Sequence, residues 1–107
     1  MAKAVQRGEV WLVDLGLAAK TRPAVVLSIA AEDQDRSLVT MVPHTTSIRF
    51  SRFEVAATPR FLKTGVFDCQ NLITIPHAKL ARRLGELSSS EMSAVEDSVC
   101  RWLGLRR

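Results

Sequence analysis

Two apolar runs rich in β-branched residues constrain this chain more than anything else in it. Arg22 to Ala30 is nearly continuous in apolar side chains and lacks helical spacing, so it reads as a buried strand. Pro23 is tolerated close to such a strand's start, where no ladder hydrogen bond need be donated. Ala31 to Arg36 is a charged hairpin loop, and Leu38 to Val42 is the return strand. The first run opens on the guanidinium of Arg22. The second leads through Pro43 and His44 to the hydroxyls of Thr45, Thr46 and Ser47.

Further short strands surround this pair. Val10, Leu12 and Leu15 mark one near residues 8–15, and others are expected over 53–56, 66–69, 72–75 and 84–87. Ser47 to Arg52 reads as a mobile loop, with Phe50 or Phe53 available to stack on a base and Phe53 the better core residue. Pro76-His77-Ala78 is a turn, which makes His77 a solvated loop residue. Ser88-Ser89-Ser90-Glu91 fits a capping box, and Met92, Val95, Val99 and Trp102 follow at helical spacing with Gly104 as the stop. Trp102 is therefore expected to be buried. The pattern predicts a mainly β fold: a small antiparallel barrel or sandwich with a C-terminal α-helix, in one domain spanning 1–107.

Composition narrows the function classes. With 47% hydrophobic and 24% charged residues, the chain is neither disordered nor membrane-spanning, and it opens without a signal-peptide pattern. A cytoplasmic protein is expected. Cys69 and Cys100 lack zinc-site spacing and read as small buried hydrophobes. The net charge of +4 favours a polyanionic partner to a modest degree.

Arg22-Pro23, the segment Val42-Pro43-His44-Thr45, and Arg7-Gly8-Glu9-Val10-Trp11-Leu12-Val13-Asp14 together resemble the MazF/PemK (Kid) toxins of bacterial toxin–antitoxin systems. The resemblance extends from Arg7 to the C-terminal helix. It implies an SH3-like barrel, a homodimer, and a ribonuclease that cuts single-stranded RNA with no metal or other cofactor. It also implies a cognate antitoxin whose acidic tail occupies the RNA groove. Arg22 and Thr45 match the catalytic pair, with Arg22 as phosphate clamp and proton donor. The residue types suit the task, because a guanidinium grips two phosphate oxygens and a hydroxyl donates to another. Thr46 is a secondary candidate. His44 titrates near neutrality, but strand alternation points it away from Thr45, which favours a structural or RNA-contact role. Lys20, Arg49, Arg52, Lys79 and Arg82 are the expected RNA-binding cations, with Lys63 and Arg83 in reserve.

Two departures from the family pattern bear on mechanism. The first loop, Gly16 to Thr21, is short and carries no carboxylate. Where members often read Asp-Gln-Ile-Arg-Thr-Ile, this chain has Gln70-Asn71-Leu72-Ile73-Thr74-Ile75, so Gln70 replaces an acid and Ile73 a base. Asp68, two residues from Gln70, is the substitute carboxylate. Two other readings stand beside ribonuclease: a CcdB-like toxin that binds DNA gyrase, suggested by Trp102-Leu103-Gly104-Leu105, and a nucleic-acid-binding barrel without activity.

Overall fold

The computed structural model describes residues 4–16 and 21–105. The first apolar run becomes β2 (Arg22–Val26), flanked by β1 (Glu9–Val13) and β3 (Leu38–Thr45). β4 (Glu54–Ala56), β5 (Val66–Asp68), β6 (Ile73–Pro76) and β7 (Leu80–Glu86) complete the sheet, and α1 (Ser89–Leu103) ends the fold.

All the pairings are antiparallel, in the order β4-β5-β3-β2-β1-β7, with β6 also on β3. β3 is the hub: its first half pairs with β6, its middle with β2 and its last two residues with β5. The two ends of the path, β4 and β7, do not pair, so strand pairing leaves the expected barrel open.

Why β2 is apolar on both faces follows from where it lies. Val25 packs into one core with Val10, Val42, Phe67 and the helix residues Met92, Val95 and Val99. Its neighbours Ala24 and Val26 point the opposite way, into a second core with Trp11, Val13, Val39, Met41 and Leu80. A strand between two cores has no solvent face, and this removes the usual alternation. Glu9 anchors the same region from within. Its buried carboxylate accepts hydrogen bonds from Gln6 N–H, Trp11 Nε1–H and Arg83 Nε–H. Burial alone would raise its pKa, but these donors hold it below the ordinary carboxylate value.

Several strand limits differ from expectation. β2 stops at Val26, because Leu27 and Ser28 both donate to the Thr40 carbonyl and the chain swings out, leaving Ile29 exposed. β3 runs on to Thr45, since a proline and a histidine can occupy a strand when its neighbours pair. β7 begins at Leu80, where Ala81, Arg82 and Arg83 are exposed and show no alternation to read. His77 lies in a 3₁₀ turn, half-buried rather than solvated, with Nδ1 enclosed.

At α1 the capping box forms in full: Ser88 Oγ accepts from Glu91 N–H, and Glu91 accepts from Ser88 N–H. Gly104 takes the left-handed conformation that ends the helix. Met92, Val95 and Val99 are buried, but Trp102 is 43% exposed, contrary to expectation. Its indole is tilted against the Phe53 ring, centroids 5.4 Å apart, and the rest of it stays open to solvent. Cys69 is buried, whereas Cys100 is only partly covered. Among the described residues no helix is long and apolar enough to cross a membrane.

Candidate active site

The β2–β3 register places Ala24 opposite Pro43 and Val25 opposite Val42. Carried two residues further, it sets Arg22 across from Thr45. The row continues on both sides, with Val13 paired to Arg22 and Val66 paired to Thr45. Pro23 restricts Arg22 to extended backbone, so the strand's first residue is held in line to project its side chain. Thr45 ends β3 in a side-chain turn, its Oγ1 accepting from Ser47 N–H at 3.0 Å. The hydroxyl hydrogen is left to donate elsewhere.

Two cavities meet at this pair. One, of about 400 Å³, is lined by Arg22, Thr45, Arg49, Asp68 and Asn71 above an apolar floor that includes Ile73. The other, of about 810 Å³, is lined by Arg22, Thr45, Thr46, Lys63, Arg82 and Phe61 among others. Arg22, His44, Thr45 and Ser47 line both.

His44 is only 4% exposed and stands edge-on to Phe67, ring centroids 5.1 Å apart. Burial pushes its pKa below the ordinary imidazole value, and Nε2 is enclosed with no hydrogen-bond partner among the described residues. Gly65 allows this packing. A Cβ there would lie 2.3 Å from the Thr45 carbonyl oxygen and 2.8 Å from His44 Cε1.

The other predicted residues divide. Asp68 reaches the smaller cavity, with its Oδ1 accepting from Gln70 N–H at 3.3 Å. Gln70 itself is exposed in the turn beyond β5 and lines neither cavity. Lys79 is likewise outside both, and Arg52 lies over the Phe53 ring, 4.6 Å from its centroid. Lys20 falls outside the described residues. Ser47, Asn71 and Ile73 also reach the site, and sequence reasoning did not select them as functional. Ser47 and Asn71 are marked only by their nearness in the chain to Thr45 and Asp68, whereas Ile73 is marked by standing where the family often carries an arginine.

The 47–52 loop is held by one carboxylate. Glu54 accepts from Arg49 N–H and Ser51 N–H, at 3.0 and 3.2 Å respectively. Between those two donors Phe50 adopts a positive φ of 61° and is 90% exposed. Its ring is offered to solvent beside Arg49, while Phe53 is buried.

The chain is similar to known proteins over nearly its whole length. Residues 6–103 match the model of the PemK-like, MazF-like toxins of type II toxin–antitoxin systems. Among solved structures, an endoribonuclease from a mycobacterial species is 27% identical, with 99% of this chain and 97% of that one covered at a TM-score of 0.82. A mycobacterial endoribonuclease in complex with its cognate antitoxin is 28% identical, with 97% and 99% covered and a TM-score of 0.83. MazF of Deinococcus radiodurans, in a MazE–MazF crystal, shares the fold at 23% identity and a TM-score of 0.82, with 97% and 100% covered. With its family match spanning nearly the whole chain, and with that fold around it, this protein belongs to the PemK-like, MazF-like toxin family.

Proposed function

We propose that this chain is a toxin that cleaves single-stranded mRNA at a short recognition sequence, by attack of the 2′-hydroxyl on the adjacent phosphorus. The products are a 2′,3′-cyclic phosphate and a 5′-hydroxyl. The observation that carries this reading is the cross-strand placement of Arg22 and Thr45 where two cavities meet. Arg22 grips the phosphoryl oxygens through its planar fork, and the Thr45 hydroxyl donates to the oxygen on which charge develops. No metal is required, because the guanidinium supplies the countercharge. The proton of the 2′-hydroxyl passes to one of two groups lining the smaller cavity, Asp68 or the neutral imidazole of His44. The leaving 5′-oxygen takes its proton from solvent.

Arg49, Lys63 and Arg82 extend the positive rim along the strand's path, and Phe50 offers a stacking surface. The same rim suits the acidic tail of a cognate antitoxin, which would compete with RNA for it. The protein acts as a homodimer in the cytoplasm.

Incubation of mixed-sequence RNA with the purified protein in EDTA, followed by mass spectrometry of the fragment ends, tests this. Cyclic phosphate ends are expected. A 5′-phosphate end, or complete loss of cutting in EDTA, overturns the mechanism. A second reading, gyrase poisoning, is favoured by one feature, the exposed Trp102 followed by exposed Leu103 and Leu105. Gyrase-dependent DNA breaks in the absence of RNA cleavage would select it.

A further inference from the structure

The smaller cavity has a chemistry that phosphate binding does not use. Val13, Leu15, Ala24 and Ile73 contribute apolar walls, and its volume of about 400 Å³ is typical of pockets that enclose a small organic group. A phosphodiester gains nothing from such walls, whereas the flat face of a nucleobase does. Beyond Arg22 and Thr45 the polar lining comprises His44, Ser47 and Arg49, together with Asp68 and Asn71, which face the base proposed below.

Among the described residues, Asp68 is the one carboxylate lining this cavity. Its Oδ1 is tethered by the Gln70 amide, and among the described residues no other group donates to it. An ionised carboxylate only accepts hydrogen bonds. Guanine alone among the RNA bases presents two parallel donors on one edge, N1–H and N2–H, spaced to meet the two oxygens of a carboxylate. Adenine, cytosine and uracil each present a single donor group there. Asn71 carries donors for the neighbouring O6 of the same base.

We infer that this cavity reads a guanine adjacent to the scissile phosphate, with Asp68 accepting from N1–H and N2–H and Ile73 packing against the ring. The inference rests on the ribonuclease reading above and assigns its specificity. It also gives a reason for Ile73 where the family often carries an arginine: a guanidinium there would occupy the cavity and pair with Asp68. With Asp68 engaged by the base, His44 is left as the proton acceptor.

The test uses an oligonucleotide cut by the wild-type protein, with the base beside the cut varied. Replacing guanosine by inosine removes only the N2 amino group, and replacing it by adenosine also removes the N1 donor. Stepwise losses in kcat/KM are expected, reaching about 5- to 150-fold for adenosine, the range for one bidentate base contact. Asp68→Asn should bring the guanosine-to-adenosine ratio toward one, through loss on the guanosine substrate. Asn71→Ala should reduce the ratio more weakly, and provides the second variant should Asp68→Asn fail to fold. Equal slowing of both substrates by Asp68→Asn would make Asp68 the proton acceptor and overturn the assignment. Cutting at sites with no adjacent guanine would sink the pocket while leaving the ribonuclease reading intact. A wild-type protein that cuts no RNA would sink both.

Discussion

Arg22 and Thr45 are exposed or half-exposed strand-end residues, so removing either should leave the cores intact. Arg22→Ala and Thr45→Ala are each expected to slow RNA cleavage by about two to three orders of magnitude, the cost of one lost contact to a transition-state oxygen. Near-wild-type rates at unchanged thermal stability would remove that residue from the mechanism. Gln70→Asp is expected to be neutral in a single-turnover assay, because the side chain at 70 lies outside both cavities. A tenfold or larger gain would return the missing carboxylate to the centre of the chemistry. His44 couples the site to pH. Its folded pKa is depressed from the ordinary 6.5 by burial, so at acid pH the unfolded chain binds a proton that the folded chain resists. Stability is thus full above about pH 7 and falls as the pH drops toward the folded pKa, by at most about 1.4 kcal/mol per unit. Urea unfolding at pH 7.5 and 5.5 should show a smaller difference for His44→Gln than for wild type; equal differences would contradict the burial effect. Arg22 and Thr45 could be chosen as the pair from sequence through the family resemblance alone. Ile73 is flagged the same way, as a departure from the family's arginine, but Asn71 could not be chosen, because nothing local marks which turn residue reaches a cavity.

Among the elements, β3 and β5 decide the geometry of the site. Gly65 precedes β5 and lies against the last peptide of β3, where a side chain has no room. Gly65→Ala is expected to destabilise the fold by about 1–3 kcal/mol, the usual cost of overpacking, and to lower activity by shifting Thr45 and His44 together. Denaturant unfolding and cleavage rates measured on the same samples check this; wild-type values in both would show that β5 moves aside freely. Element boundaries were legible in the sequence where local chemistry sets them. The helix start at Ser88 and stop at Gly104 are backbone-capping events within a few residues, and both appear as expected. β7 is only half legible because its middle is exposed and it pairs to β1 with two register shifts, which blurs any period-two pattern. Trp102 departs from its expected burial for a related reason. Helical periodicity identifies a face but not how far the partner surface extends beneath it.

On the scale of the whole molecule, the excess positive charge matters through its placement. Arg22, Arg49, Lys63 and Arg82 line the two cavities, while Arg83 and Arg7 are drawn into pairs with Glu9 and Glu96. If four cations neutralise four phosphates, log K for single-stranded RNA should fall with log salt at a slope of about −3. Fluorescence anisotropy with an oligonucleotide made uncleavable by a 2′-deoxy substitution at the cut measures it, and a slope near zero would show that RNA does not follow this rim. The amino-acid sequence by itself determined the mainly β class, the hairpin of β2 and β3 and the terminal helix. These depend on side-chain periodicity, β-branching and capping within short windows. Tertiary structure alone decided that the hydrogen-bonded barrel stays open, that His44 packs edge-on against Phe67, and that Asp68 enters the cavity while Gln70 does not. Each of those outcomes depends on contacts between residues far apart in the chain, where burial and cross-strand register, not local preference, set the free energy.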